Sequence, residues 1–305
     1  MPYRMTNTAW LMLICLSILW GGSFFFVEIA VAELPPLWLV WLRVTGAAAV
    51  LLLFLLVTKR SLPLSREALI AFCGMGLLNN LIPFSLIAWG QGEISSGLAS
   101  ILNAMTPVST FVLAHFFTDD EKLTPARLIG VALGVAGVVV LIGVDALSGL
   151  GLAVLAQCAV LLATLSYGFA GIWGRRFRRM GLDPVVAAAG QVSASSVLLA
   201  VPALMLATPW ALPMPSVTVW AAMAGLAVFS TALAYVLFFR VLALAGAANV
   251  MLVTLLVPPS AILLGWLFLD EQLATNHVAG LLLIMLGLVI IDTRVVAILR
   301  SRLAA

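Results

Sequence analysis

Arg43 is the one cation that the sequence places inside a long apolar run, seven residues past Pro36. At 1.5 Å per helical residue it lies roughly 10 Å below the start of that run. A guanidinium at this depth has two uses. It can snorkel back towards the surface and pair with Glu28, near the end of the preceding run. Alternatively it can hold a carboxylate through a forked pair of hydrogen bonds. Asn79 and Asn80 are adjacent amides halfway along another run. Two adjacent amides cannot point the same way, so at least one is expected to face inwards. Trp20, Asn103, Tyr167, Gln191 and Tyr235 also lie deep in apolar runs, as do Gln157 and Ser230. Such groups are costly in apolar surroundings without a partner, and so mark candidate contacts for a small molecule.

Prolines form the second set. Pro107 follows Asn103 and Thr106, and Pro258-Pro259 follow Thr254; Pro83 and Pro202 also fall within runs. Each removes a backbone donor and bends or interrupts a helix. The preceding polar side chains are placed to bond the freed carbonyls, which is local repair of the helix. The same bends can serve as hinges lining a central path, and both readings stand. The three cysteines, Cys15, Cys73 and Cys158, have no paired spacing and read as small apolar packing residues.

The elements that must position these groups follow from composition. The chain has 305 residues, 64% apolar and 9% charged, against about 25% charged in a soluble domain. The apolar residues fall into ten runs of roughly 20, the length needed to cross a ~30 Å hydrocarbon layer as a helix. They span 9–28, 36–57, 67–89, 94–117, 124–143, 151–174, 184–207, 216–240, 246–268 and 273–293. The expected fold is all-α and integral to the membrane. If the N-terminus is cytoplasmic, every Lys and Arg except Arg43 falls in a cytoplasmic segment, which is the positive-inside asymmetry. Both termini are then cytoplasmic. The cluster Arg175, Arg176, Arg178 and Arg179 reads as a topology anchor, and no nucleic-acid partner is expected. Arg4, the first run and Ala30-Val31-Ala32 mimic a cleavable signal peptide. Cleavage would leave nine runs and break the repeat described next, so the first run is read as a retained helix.

Glu121-Lys-Leu-Thr-Pro-Ala-Arg-Leu-Ile-Gly130 is echoed by Glu271-Gln-Leu-Ala-Thr-Asn-His-Val-Ala-Gly280, 150 residues on, and Gly137 by Gly287. Five runs per half is an odd number, so the second half must enter the membrane in the opposite sense. The expected division is 1–146 and 147–305, two inverted five-helix repeats. Thr124-Pro125 reads as a capped helix start, with Glu121 beside it favoured by the helix dipole; Thr275 replaces the hydroxyl in the second copy. Gly130, Gly134 and Gly137 form a small-residue stripe, suited to close packing or to a dimer contact through the fifth helix. Monomer and dimer both remain open.

On these residues, with Trp20-Gly21-Gly22-Ser23 and the proline-bearing fourth and ninth runs, the whole chain resembles the drug/metabolite transporter superfamily. Within it the chain is similar to the EamA-type ten-helix exporters, and among those to the YddG-like amino-acid exporters. The resemblance implies an inner-membrane exporter with a central cavity lined by the first four and the sixth to ninth helices, the fifth and tenth lying outside. The implied cargo is a small amphipathic metabolite such as an amino acid. Asn79, Asn80, Arg43, Trp20, Tyr167, Gln191, Tyr235 and Asn103 are its expected contacts, and Pro107, Pro258 and Pro259 the expected hinges. No Asp, Glu or His sits in the central third of any run. Transport is therefore expected to be facilitative or exchange-driven, with Glu28 the only acid placed for proton coupling. Proton-driven efflux of lipophilic cations is the alternative. There is no Gly-rich phosphate loop for ATP, no deep His for an intramembrane enzyme, and no cofactor is expected.

Overall fold

The computed structural model describes residues 6–119, 122–143, 151–245, 250 and 252–291. The described residues form helices and contain no strand. Eight helices are long and apolar enough to cross a membrane: α1 (Asn7–Val31), α2 (Pro36–Val57), α3 (Arg66–Gly90), α4 (Ser96–Phe117), α5 (Pro125–Ile142), α6 (Leu152–Arg179), α7 (Pro184–Ala207) and α8 (Val217–Leu242). Two shorter apolar helices complete the expected ten, α9 (Val253–Phe268) and α10 (Thr275–Ile291). The division between residues 146 and 147 lies outside the described residues, as does Glu121.

Helix starts follow local chemistry. Thr6, Ser65, Ser95, Thr124 and Ser216 each accept from the backbone N–H three residues on, satisfying donors the helix leaves free. Pro36, Pro125 and Pro184 each occupy the first helical position, where the missing N–H costs nothing. Glu33, in the exposed connection after α1, accepts from Ser216 N at 2.6 Å. That bond holds its carboxyl below the usual range.

The most extensive packing pairs are α1 with α9 and α8, α6 with α4 and α3, α2 with α7 and α8, α3 with α7, and α5 with α10. Moving each number by five turns every pair into itself or into another pair of the set. Large apolar side chains such as Leu56, Val57, Val197 and Leu206 stay exposed on the outer faces, as acyl-chain contact requires. Cys15, Cys73 and Cys158 are exposed too. They are unpaired, as their spacing suggests, but they do not fill the interior.

The glycine stripe is used inside the chain. Cβ atoms built on Gly130 and Gly287 would each come within 2.6 Å of the other's carbonyl oxygen, and Gly137 and Gly280 oppose each other in the same way. Gly134 faces Met105 and Val108 of α4. The stripe joins α5 to α10 and so is not a free dimer face.

The prolines divide unexpectedly. α4 is interrupted at Ala104–Met105, just before Pro107, and Thr106 Oγ1 donates to the carbonyl of Asn103 at 2.7 Å. Pro258 and Pro259 instead lie inside the continuous stretch Val253–Phe268, so the ninth helix is not broken at its prolines. There the Ser260 hydroxyl reaches the carbonyls of Leu256, Val257 and Ser17 of α1, which supplies repair and a tie to α1 together.

Candidate substrate site

Two π-helical turns build the site. Leu77–Leu81 interrupts α3 and Val228–Leu233 interrupts α8. A π turn closes i→i+5 bonds, widens the helix locally, and often marks a functional position. In α8 the Thr231 hydroxyl follows that geometry, donating to Leu226 O at 2.8 Å. In α3 the turn brings Asn79 and Asn80 to one partner. Asn79 Nδ2 donates to the Tyr235 hydroxyl at 3.0 Å, and that hydroxyl donates to Asn80 Oδ1 at 2.9 Å. The expectation that adjacent amides diverge assumed a regular helix, and the wider turn removes its premise.

The network extends into α7. Asn79 Nδ2 also reaches Gln191 Oε1 at 3.3 Å, and Asn80 Nδ2 reaches Ser195 Oγ at 3.0 Å. Ser195 in turn donates to the carbonyls of Gln191 and Gly76. Asn80 and Ser195 are fully buried. Phenylalanine at position 235 should leave Asn80 Oδ1 without its donor and Asn79 short of an acceptor. That costs about 1–3 kcal/mol, read as a lower unfolding midpoint in detergent. An unchanged midpoint would show that the hydroxyl does not hold the amides together.

Arg43 lies on the α2 side of the same region, 7% exposed. Its Nε donates to Thr231 Oγ1 at 3.0 Å, and its guanidinium carbon sits 3.6 Å from the centroid of the Phe84 ring, a cation–π geometry. Among the described residues this Nε contact is the one hydrogen bond of the Arg43 side chain. The pairing with Glu28 does not form. Glu28 Oε2 instead accepts from Gln91 Nε2 at 2.9 Å, while the same amide holds Phe24 O at 2.8 Å. Gln91, 2% exposed, offers a neutral donor nearer to Glu28, so Arg43 keeps its fork.

The other expected contacts separate. Tyr167 is partly buried and packs against two hydrophobic clusters of the bundle. Trp20 joins the site through rings alone: it meets Phe238 at 5.6 Å, Phe238 meets Phe239 at 5.1 Å, and Phe239 stacks on Tyr235 at 6.4 Å. Asn103 stands apart at the break in α4, its buried Oδ1 unpartnered among the described residues. Ser230 is buried without a partner there, while its neighbour Thr231 makes the contact. Thr231, Ser195 and Phe84 were missed. A hydroxyl or a ring in a long apolar run is too common to stand out; Thr231 lies in the π turn of α8, while Ser195 and Phe84 reach the site from α7 and from α3 beyond its π turn.

The repeated glutamate also does something its position did not suggest. Glu271 leaves its own helix and caps another: its two carboxylate oxygens accept from Ser96 N at 2.9 Å and Gly97 N at 3.0 Å, at the start of α4. The start of α10 is served by His277, whose Nδ1 accepts from Ala274 N at 3.4 Å, and Thr275 is already the first helical residue. Glu271→Ala should cost about 1–2 kcal/mol through the lost cap and dipole contact. Glu271→Gln should cost less, because one oxygen remains. Equal midpoints for the two variants and the parent would remove the cap from the account.

A bundle of long apolar helices around buried polar groups is that of a membrane protein, and sequence comparison gives its class. Residues 7–143 and again 154–293 match the EamA-like transporter family, and the chain belongs to that family. The uncharacterized transporter YoaV of Bacillus subtilis is 26% identical over 277 residues, covering 90% of this chain and 94% of its own. The uncharacterized inner membrane transporter YedA of Escherichia coli K12 is 29% identical over 232 residues, covering 73% and 70%. A crystal structure at 21% identity shares the fold, with a TM-score of 0.66 and 98% and 99% coverage.

Proposed function

We propose that this protein exports small carboxylate-bearing metabolites, amino acids foremost, across the inner membrane by alternating access, and that transport is facilitative or exchange-driven. The carrying observation is Arg43: a buried guanidinium whose one hydrogen bond among the described residues is made through Nε. An uncompensated cation at that depth is costly, and a carboxylate ligand satisfies the fork geometrically and neutralises the charge. The amides of Asn79 and Gln191 and the hydroxyls of Tyr235 and Tyr167 supply further polar contacts, while Phe84, Phe238 and Trp20 give walls for an apolar side chain. YedA's name supports the inner membrane. The double family match, the helix pairs that interchange by fives and the cationic cytoplasmic segments support two inverted repeats with cytoplasmic termini. Pro107, at a true break in α4, fits the hinge role; Pro258 and Pro259 fit repair better.

The test is uptake by purified protein in liposomes, with labelled amino acids in competition, with and without internal substrate and with and without a pH gradient. Saturable uptake stimulated by internal amino acid and indifferent to pH is the expected result. Uptake of lipophilic cations driven by the pH gradient and lost in Glu28→Gln would replace this reading with proton-driven efflux. Asn79→Ala should raise the KM for amino acid several-fold, and an unaltered KM would take the amide out of the site.

A further inference from the structure

At the arginine-rich end of α6 the surface opens into a cavity of about 620 Å³ between the ends of α6 and α4. Arg175, Arg176, Arg178 and Arg179 all line it, against one described carboxylate, Asp119. Arg176 and Arg179 also line a neighbouring cavity of about 500 Å³ with Glu67, Ile70 and Ala71 of α3, so these two side chains stand between two openings. The cluster is more ordered than a topology anchor needs to be. Trp173 Nε1 donates to Ala71 O at 3.1 Å, which fixes the indole, and the Arg176 guanidinium stacks on it at 3.5 Å. A stacked guanidinium keeps its in-plane N–H groups free to point at an oxyanion.

The other wall is apolar and faces outwards. Phe117 is 62% and Phe169 38% exposed, and their rings meet edge to face at 5.3 Å. In a membrane protein such exposed rings meet acyl chains. The cavity therefore joins a hydrocarbon-facing wall to a cationic one, the two chemistries of an anionic phospholipid. Basic pockets between membrane helices on the cytoplasmic side suit such headgroups. A free anion would use the arginines and leave the aromatic wall without a role.

We propose that this cavity is a binding site for one anionic phospholipid, its phosphate held by Arg176 and Arg179 and an acyl chain laid along Phe117 and Phe169. Arg176, Arg178 and Arg179 outnumber Asp119 and Glu67, the carboxylates on the described walls of the two cavities, which favours a lipid of net negative charge. The cavity reaches inwards as far as Leu78, next to Asn79, and its lining does not include Arg43; lipid binding there does not depend on the proposed cargo.

The experiment is native mass spectrometry of the full chain in detergent, titrated with phosphatidylglycerol or with phosphatidylcholine of the same chain length, then with glycerol phosphate as competitor. One saturable phosphatidylglycerol per chain is expected, with phosphatidylcholine weaker and millimolar glycerol phosphate unable to displace the lipid. Arg176→Gln with Arg179→Gln should weaken binding by about ten-fold or more, while Lys59→Gln with Arg240→Gln, which removes the same charge from exposed positions outside both cavity linings, should not. Ile172→Trp fills the cavity, keeps every charge, and should abolish the saturable component even if the double arginine variant fails to insert. Equal retention of the two lipids, equal losses in the two double variants, an unaffected Ile172→Trp, or displacement by glycerol phosphate would each overturn the proposal.

Discussion

Arg43→Gln should lose transport of carboxylate substrates by roughly 10- to 100-fold in kcat/KM while the protein stays as stable as the parent, or becomes more so. The two signs come from one cause. The guanidinium is buried, held only through Nε to Thr231 and stacked on Phe84, and it has no carboxylate partner among the described residues. Without ligand it is an uncompensated charge, and replacing a buried charge by a neutral group of similar volume is often neutral or stabilising. With ligand it makes charge-assisted hydrogen bonds worth about 1.5–3 kcal/mol, which sets the range of the loss. Glutamine retains a donor for Thr231 and forfeits the fork. Arg43→Lys should fall between, keeping the charge without the bidentate geometry. Liposome kinetics beside a thermal unfolding midpoint separate the possibilities. A fall in both for Arg43→Gln would make Arg43 structural, and the carboxylate reading would go with it.

Gly280→Leu should be among the most damaging single changes to stability outside the site. A Cβ at 280 would lie 2.7 Å from Gly137 O and 2.7 Å from Leu141 Cβ. The neighbours are backbone and the root of a side chain, so nothing can rotate away, and α5 and α10 must separate. Overpacking of this kind costs about 1–3 kcal/mol and sometimes more. Gly130→Leu should behave alike, since its Cβ would meet Gly287 O at 2.6 Å. Gly151, with nothing within 4 Å, is the control, and Gly151→Ala should be mild. Because α5 and α10 carry none of the site residues, the fraction that folds should keep its KM. Should Gly130→Leu instead dissolve a dimer and leave the monomer's midpoint untouched, the stripe would face another copy rather than α10.

The ten helices and the family were legible along the chain, because each rests on local properties: apolar length, a hydroxyl or proline at the entrance, glycine spacing. The ends were legible to within about three residues, except that the sixth helix runs on through the arginines to Arg179 and the ninth starts at Val253 rather than 246. Thr124 and Pro125 are a capped start wherever that helix packs. The candidate site was legible only as an inventory. Arg43, Asn79, Asn80, Gln191 and Tyr235 stood out as polar groups in apolar runs, yet who meets whom depends on helix rotation, and uniformly apolar helices carry too little periodicity to fix it.

The sequence by itself determined that this is an all-helical, multi-span membrane protein, since apolar runs of that length have no other way to be buried. Only the tertiary structure decided that Glu28 takes Gln91 and leaves Arg43 unpaired, that Glu271 caps α4 rather than its own helix, and that two π turns gather both amides at Tyr235. Each of these is a choice among partners far apart in sequence. Distance and rotation in the folded bundle make that choice, because in an apolar interior a polar group bonds whichever donor or acceptor packing brings within about 3 Å.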